Sequence, residues 1–138
     1  MRYLGYPLLC LILLTGCAGL ADYTIPLPNG YRIDRTSAQQ ISIYSEEPIA
    51  NEQNYRYTPP KITHIWWNDD FIIAKQAILK SENNCVAVPT EGKYAFWIID
   101  MHAHLVYGPF DKNALAQQKE LLGLPQKIKW TAIEDLHQ

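Results

Sequence analysis

The run KITHIWWNDDFIIAKQAIL, residues 61–79, limits the possible folds more than any other stretch of this 138-residue chain. Ile62–Trp67 and Phe71–Ile78 are rich in β-branched and aromatic residues, and Asn68-Asp69-Asp70 between them is turn chemistry. The pair predicts an antiparallel hairpin. Trp66 and Trp67 are adjacent, and neighbours on a strand point to opposite faces. One indole therefore belongs to a core. The other is either covered by a helix or displayed as a binding surface. The three acceptors of the turn lack the spacing of a calcium loop, so they read as a turn alone.

The flanks repeat this strand-and-turn grammar. Pro28-Asn29-Gly30 separates strands over Tyr23–Leu27 and Tyr31–Thr36, and QISIYS alternates apolar and polar residues as a half-buried strand does. Residues 45–60 break all periodicity. A compact domain gives a loop that long a role or leaves it mobile, and Tyr55 and Tyr57 suit either contact with a partner or packing the loop down. DKNALAQQKELLGLP is a punctuated helix. Asp111 caps it, Phe110 staples to Leu115, Gly123 ends it and Pro125 prevents restart. Leu115 and Leu122, with Ala114 and Leu121 beside them, form a stripe that can lie on a sheet. KIKWTAI then alternates as a last strand. Hairpins followed by one late helix predict an α+β domain over residues 23–138, mainly antiparallel β. The expected form is a small curled sheet or partial barrel with one C-terminal helix across a face. No repeat or second domain is visible.

The amino terminus speaks of location. MRYLGYPLLCLILLTGC carries one early cation, Arg2, then an apolar run from Tyr6 to Leu14, then small residues, the order of a secretory signal over residues 1–16. The run is shorter than the roughly 20 apolar residues needed to span a bilayer. Leu14-Thr15-Gly16-Cys17 resembles the lipobox of bacterial lipoproteins. That resemblance implies cleavage before Cys17, acylation of its sulfur and new amino group, and a membrane as one partner. Each buried methylene contributes about 0.8 kcal/mol, so two or three acyl chains give stable anchoring. Ala18 after the cysteine, in place of aspartate, suits outer-membrane sorting facing the periplasm if the host is Gram-negative. Residues 17–22 form a tether; at about 3.5 Å per residue, 18–22 reach less than ~20 Å.

Removing residues 1–16 leaves 122, enough for one domain with a core of its own. Those 122 carry 11 cations and 14 anions, a balance that attracts neither nucleic acid nor an anionic surface. With Cys10 in the signal and Cys17 lipidated, Cys85 has no partner for an intramolecular disulfide. Val86 and Val88 around it suggest a buried strand, where a thiol behaves as a small inert hydrophobe.

Asp-Met-His-Ala-His-Leu, residues 100–105, resembles the first-strand metal motif of amidohydrolases. On a continuous strand Asp100, His102 and His104 would share a face, as metal ligands do. However, that family's barrel needs about 250 residues. No later series of histidine, lysine and aspartate completes the set. A strand unbroken from Ala95 to Tyr107 would also far exceed the usual 5–6 residues. The expectation is a turn opening on Asp100. A metal held by His102 and His104, with His64 from another strand, is the alternative. No nucleophile elbow and no phosphate-binding glycine loop is present, and no cofactor is expected.

LPNGYRI, IWWNDDFIIAKQ, FWIID followed by VYGPF, and KELLGLP together resemble small bacterial lipoproteins with an uncharacterised extracytoplasmic domain. The resemblance implies a hairpin turn after WIID and no activity. The expected function is that of a non-catalytic envelope lipoprotein that contacts an envelope protein or component through Tyr55, Tyr57 and one of Trp66 and Trp67. A metal-binding protein or hydrolase using His102 and His104 is one alternative, and a protective lipoprotein of the phage-exclusion or immunity type is another.

Overall fold

The computed structural model describes residues 22–82 and 86–138. The expected signal segment, Cys17, all of the tether but Asp22, and Cys85 lie outside the described residues. The strands are β1 (Tyr23–Pro26), β2 (Tyr31–Ser37), β3 (Gln40–Ser45), β4 (Ile62–Trp67), β5 (Phe71–Glu82), β6 (Val86–Asp100), β7 (Leu105–Phe110) and β8 (Thr131–Ala132). One α-helix, α1, spans Lys112–Leu121, and a short 3-10 turn covers Ile133–His137. All strand pairings are antiparallel.

The strands form two open sheets, β1-β2-β3 and β7-β6-β5-β4-β8, rather than one curled sheet or partial barrel. The cause lies between β3 and β4. Residues 55–58 run along the free edge of β3: Ser45 N–H donates to the Tyr55 carbonyl, Tyr57 N–H to the Ile43 carbonyl, and Ile43 N–H to Thr58 Oγ1. That edge is thereby occupied, which blocks β3 from pairing with β4 and ends the first sheet.

The five-stranded sheet is buried on both sides, which explains the apolar runs of the central hairpin. Ile72 and Ala74 of β5 join Ile65 of β4 and Ile99 of β6 in a cluster with Ile33 and Ile43 of the small sheet. Ile73, one residue out of phase, joins Phe96, Ile98, Leu115 and Leu124 beneath the helix. Three layers result: small sheet, large sheet, helix. Ile33, Ile43, Ile65, Ile72, Ile73, Ile98 and Ile99 are fully inaccessible. Truncating one of them to alanine costs about 2–5 kcal/mol. The one deeply placed polar side chain of β5, Gln76, is satisfied: its amide donates to the Pro60 carbonyl and its oxygen accepts from Trp97 Nε1, each at 2.7 Å.

The helix starts and stops as its sequence dictates. Asp111 Oδ1 accepts from Ala114 N–H at 2.8 Å. Phe110 and Leu115 lie in one cluster, and Gly123 takes a left-handed φ of 68° after the last turn. Leu121 does not join the stripe. It is 79% exposed because the stripe runs through 115, 119 and 122, which leaves 121 about 100° off the buried face. The expected strand over KIKWTAI contracts to Thr131–Ala132, paired with Ile65 and His64. Ile128 and Trp130 pack under the helix while Ile133 enters the other cluster, so the chain crosses from one face of the sheet to the other at its edge and has room for only two paired residues. Val88 is half-buried rather than core, and Lys80, its partner on β5, is exposed. Among the described residues no helix is long and apolar enough to cross a membrane.

Candidate functional site

Four connections meet at one end of the two sheets and are hydrogen-bonded into a single platform. Asn29 Nδ2 donates to the Asp69 carbonyl at 2.9 Å, joining the 28–30 turn to the Asn68–Asp70 turn. Glu46 N–H donates to the Gly30 carbonyl and Ala50 N–H to the His104 carbonyl, which bind the 46–61 loop to two neighbours. Met101 N–H donates to the Asp70 carbonyl. A long loop held at so many points acts as scaffold-borne surface rather than a free strap.

The turn in this platform is the histidine segment. Asp100 Oδ1 accepts from His102 N–H at 3.0 Å and Ala103 N–H at 2.9 Å, closing the turn that its sequence predicts. The absence of glycine or asparagine is met by His104 itself, which adopts φ 53°. Histidine is among the residues enriched in that region. Here the neighbours hold it: Nδ1 shares a 3.0 Å hydrogen bond with the Tyr31 hydroxyl, and the rings stack. Met101 turns inward and is 1% exposed. His102 Nε2 lies 2.8 Å from Asp70 Oδ1, a pair open to solvent and so worth at most about 1 kcal/mol. The two imidazoles thus serve different partners and do not converge. His64 sits within β4, on the face opposite Ile65, with Nδ1 at 2.9 Å from Thr63 Oγ1. Burial, with Lys75 nearby, lowers its pKa. Among the described residues no group of three His, Cys, Asp or Glu has metal-binding geometry.

The candidate contact aromatics separate. Tyr55 is 49% exposed at the loop surface. Tyr57 is 2% exposed, edge-on to Tyr31 with centroids 5.0 Å apart, and its hydroxyl donates to the Glu47 carbonyl at 3.2 Å. Burial raises the phenol pKa of both Tyr31 and Tyr57, so both stay neutral. Trp67 packs on the cluster between the sheets and Trp66 on the cluster beneath the helix. Neither indole is displayed, because both faces of the large sheet are covered. Sequence reasoning missed Asn29 and Tyr31, which tie the platform together. The left-handed Asn29 in Pro-Asn-Gly was visible as a turn, but its reach to Asp69, 40 residues away, was not.

The platform's exposed side chains include Glu46, Glu47, Glu52, Tyr55, Arg56 and His102. A family model described as Protein of unknown function (DUF3997) matches residues 28–134, and the chain belongs to that family. No curated protein and no solved structure matches the chain. The matched segment begins at the first turn of the platform and ends in the C-terminal 3-10 turn, so it takes in all three layers.

Proposed function

We propose that this member of the family is a lipid-anchored extracytoplasmic module that binds an envelope protein through the loop platform. The observation that carries the reading is the platform itself, four loops cross-linked by backbone hydrogen bonds with Tyr55 exposed on it. A preorganised surface loses little entropy on docking, and an exposed tyrosine supplies contact area with few rotatable bonds. The Leu14–Cys17 lipobox supports the anchor. The chain enters β1 at Tyr23 and reaches the platform only after Pro26, an order compatible with an anchor ahead of β1.

Mild crosslinking in the native cell, followed by affinity capture from envelope extracts, tests both parts. The protein is expected to carry a diacylated Cys17 by mass spectrometry and to retain one stoichiometric partner. Tyr55→Ala is expected to lose that partner without loss of fold, and Cys17→Ser to release the protein from membranes. An unprocessed amino terminus would remove the anchor from the proposal, and undiminished capture by Tyr55→Ala would remove the platform.

A further inference from the structure

Separately from the platform, we infer that the groove between α1 and residues 124–130 binds a small anionic molecule with an apolar body, whose charge is met by the Lys119 ammonium. Leu115, Lys119 and Leu122 stand at i, i+4 and i+7, the row that an amphipathic helix turns toward its sheet. Two of the three are the expected leucines. The third places an ammonium in the apolar row, and Lys119 is only 5% exposed. Its Nζ donates to the Gln126 carbonyl at 2.8 Å. The ion pairs among the described residues, Arg32–Asp34, Lys80–Glu82 and His102–Asp70, do not include it. An ammonium has three donors and a full charge. One neutral carbonyl satisfies one donor and leaves the charge unpaired, whereas buried charges are ordinarily neutralised.

The surroundings point to what neutralises it. The groove is an open cleft of about 400 Å³, within the size range of small-molecule sites. Lys112 and Lys127 line it with Lys119, and no acidic residue does, in a chain whose net charge is -2. Its apolar wall combines two aromatic rings, Phe96 and Trp130 with centroids 6.0 Å apart, with Leu115 and Ile128. Three cations beside an aromatic wall are complementary to a carboxylate, sulfonate or phosphate on a flat or aliphatic body. The competing account is a brace, with the ammonium holding the Gln126 carbonyl near the helix C-terminus, where a cation suits the dipole. A brace would need neither the open groove nor the two further lysines.

Naphthalene-2-sulfonate and its neutral counterpart naphthalene-2-sulfonamide separate the accounts. Titrated into the purified ¹⁵N-labelled protein, the sulfonate is expected to shift the amides of Ala116, Lys119, Lys127 and Ile128 saturably. The sulfonamide is expected to bind at least about tenfold more weakly, the scale of one charge-assisted hydrogen bond. Lys119→Met, which keeps length and removes charge, is expected to lose the same factor for the sulfonate alone, and Lys119→Arg to retain binding. Equal affinity for the two probes, shifts confined to other surfaces, or full sulfonate affinity in a folded Lys119→Met protein would each overturn the assignment. Should Lys119→Met fail to fold, the comparison of the two probes on the unaltered protein decides.

Discussion

Tyr55 and Tyr57 are two residues apart in one loop, and alanine at each position gives a direct measure of how that loop is held. Tyr57 is 2% exposed and Tyr55 49%. A buried aromatic side chain withdraws about 150–250 Å² from water. At roughly 25 cal/mol/Å² that is ~4–6 kcal/mol. Residual burial in the unfolded chain reduces the figure. Aromatic-to-alanine substitutions in cores cost about 3–5 kcal/mol, so ~4 kcal/mol is the expectation for Tyr57→Ala. For a domain of this size the urea m-value is on the order of 1.5 kcal/mol/M, which converts the loss to a midpoint shift of about 2.7 M. Tyr55→Ala should stay within about 0.5 kcal/mol, a shift near 0.3 M. Tyr57→Phe keeps the ring and gives up only the 3.2 Å bond to the Glu47 carbonyl, at about 1 kcal/mol. Urea denaturation followed by tryptophan fluorescence reads all three. Equal shifts for Tyr55→Ala and Tyr57→Ala, or a Tyr57→Ala loss below about 1 kcal/mol, would refute the packing from which the platform is built.

Three further outcomes follow from the same geometry. Asp100→Ala removes the acceptor of two turn N–H groups and should cost about 1–2 kcal/mol by urea midpoint, with amide shifts at His104 and Ala50; an unchanged midpoint would mean that the turn closes without it. Gly108→Ala sets a Cβ 2.8 Å from the Phe96 carbonyl oxygen and 2.8 Å from Trp97 Cε3 at φ 138°, so a loss of about 2 kcal/mol or more is expected in the same assay. Burial lowers the His64 pKa in the folded state, so the unfolded chain binds the proton first as pH falls. That contribution to stability is full above the ordinary value of about 6.5 and is lost as pH falls below it. Urea midpoints at a series of pH values should therefore slope less for His64→Gln, and an identical slope would contradict the assignment.

The local elements were legible because their signals are local. The Asn68–Asp70 turn, the Asp111 cap, the Gly123 stop and the Asp100 turn each depend on residues within four positions of one another. The division into two sheets was not legible, since it arises from residues 55–58 occupying the edge of β3, a pairing that no alternation in SEEPIANEQNYRYTPP announces. The Trp66–Trp67 pair showed that two faces existed and left open whether both were covered. Deciding that required knowing that β1–β3 stack on one face while the helix takes the other. Tyr55 and Tyr57 are chemically identical and both lend a backbone group to the edge of β3, yet only Tyr57 packs against Tyr31, a contact between distant segments that no local pattern signals. Lys119 was legible in principle: its i+4 relation to Leu115 put it in the buried row, but lysine at a helix C-terminus has an ordinary reading as a dipole partner.

A central sheet sealed on both faces has few places left for function. Its strands present backbone, not pockets, and the displayed chemistry must gather at strand ends or at seams between layers. The platform is such an end, made of turns whose carbonyls and amides cross-link one another. The Lys119 groove is such a seam, where the chain descends from α1 to the sheet edge and leaves three cations around an aromatic wall. The two do not share a residue, and Tyr55 lies on the β3–β4 loop whereas Lys119 lies on α1. Loss of Tyr55 should therefore leave naphthalene sulfonate binding untouched, and loss of the Lys119 charge should leave partner capture untouched, as independence of distant sites requires. Coupling between the two substitutions would mean that the large sheet transmits a change between its ends, which a rigid layer with fully buried isoleucines on both faces is not expected to do.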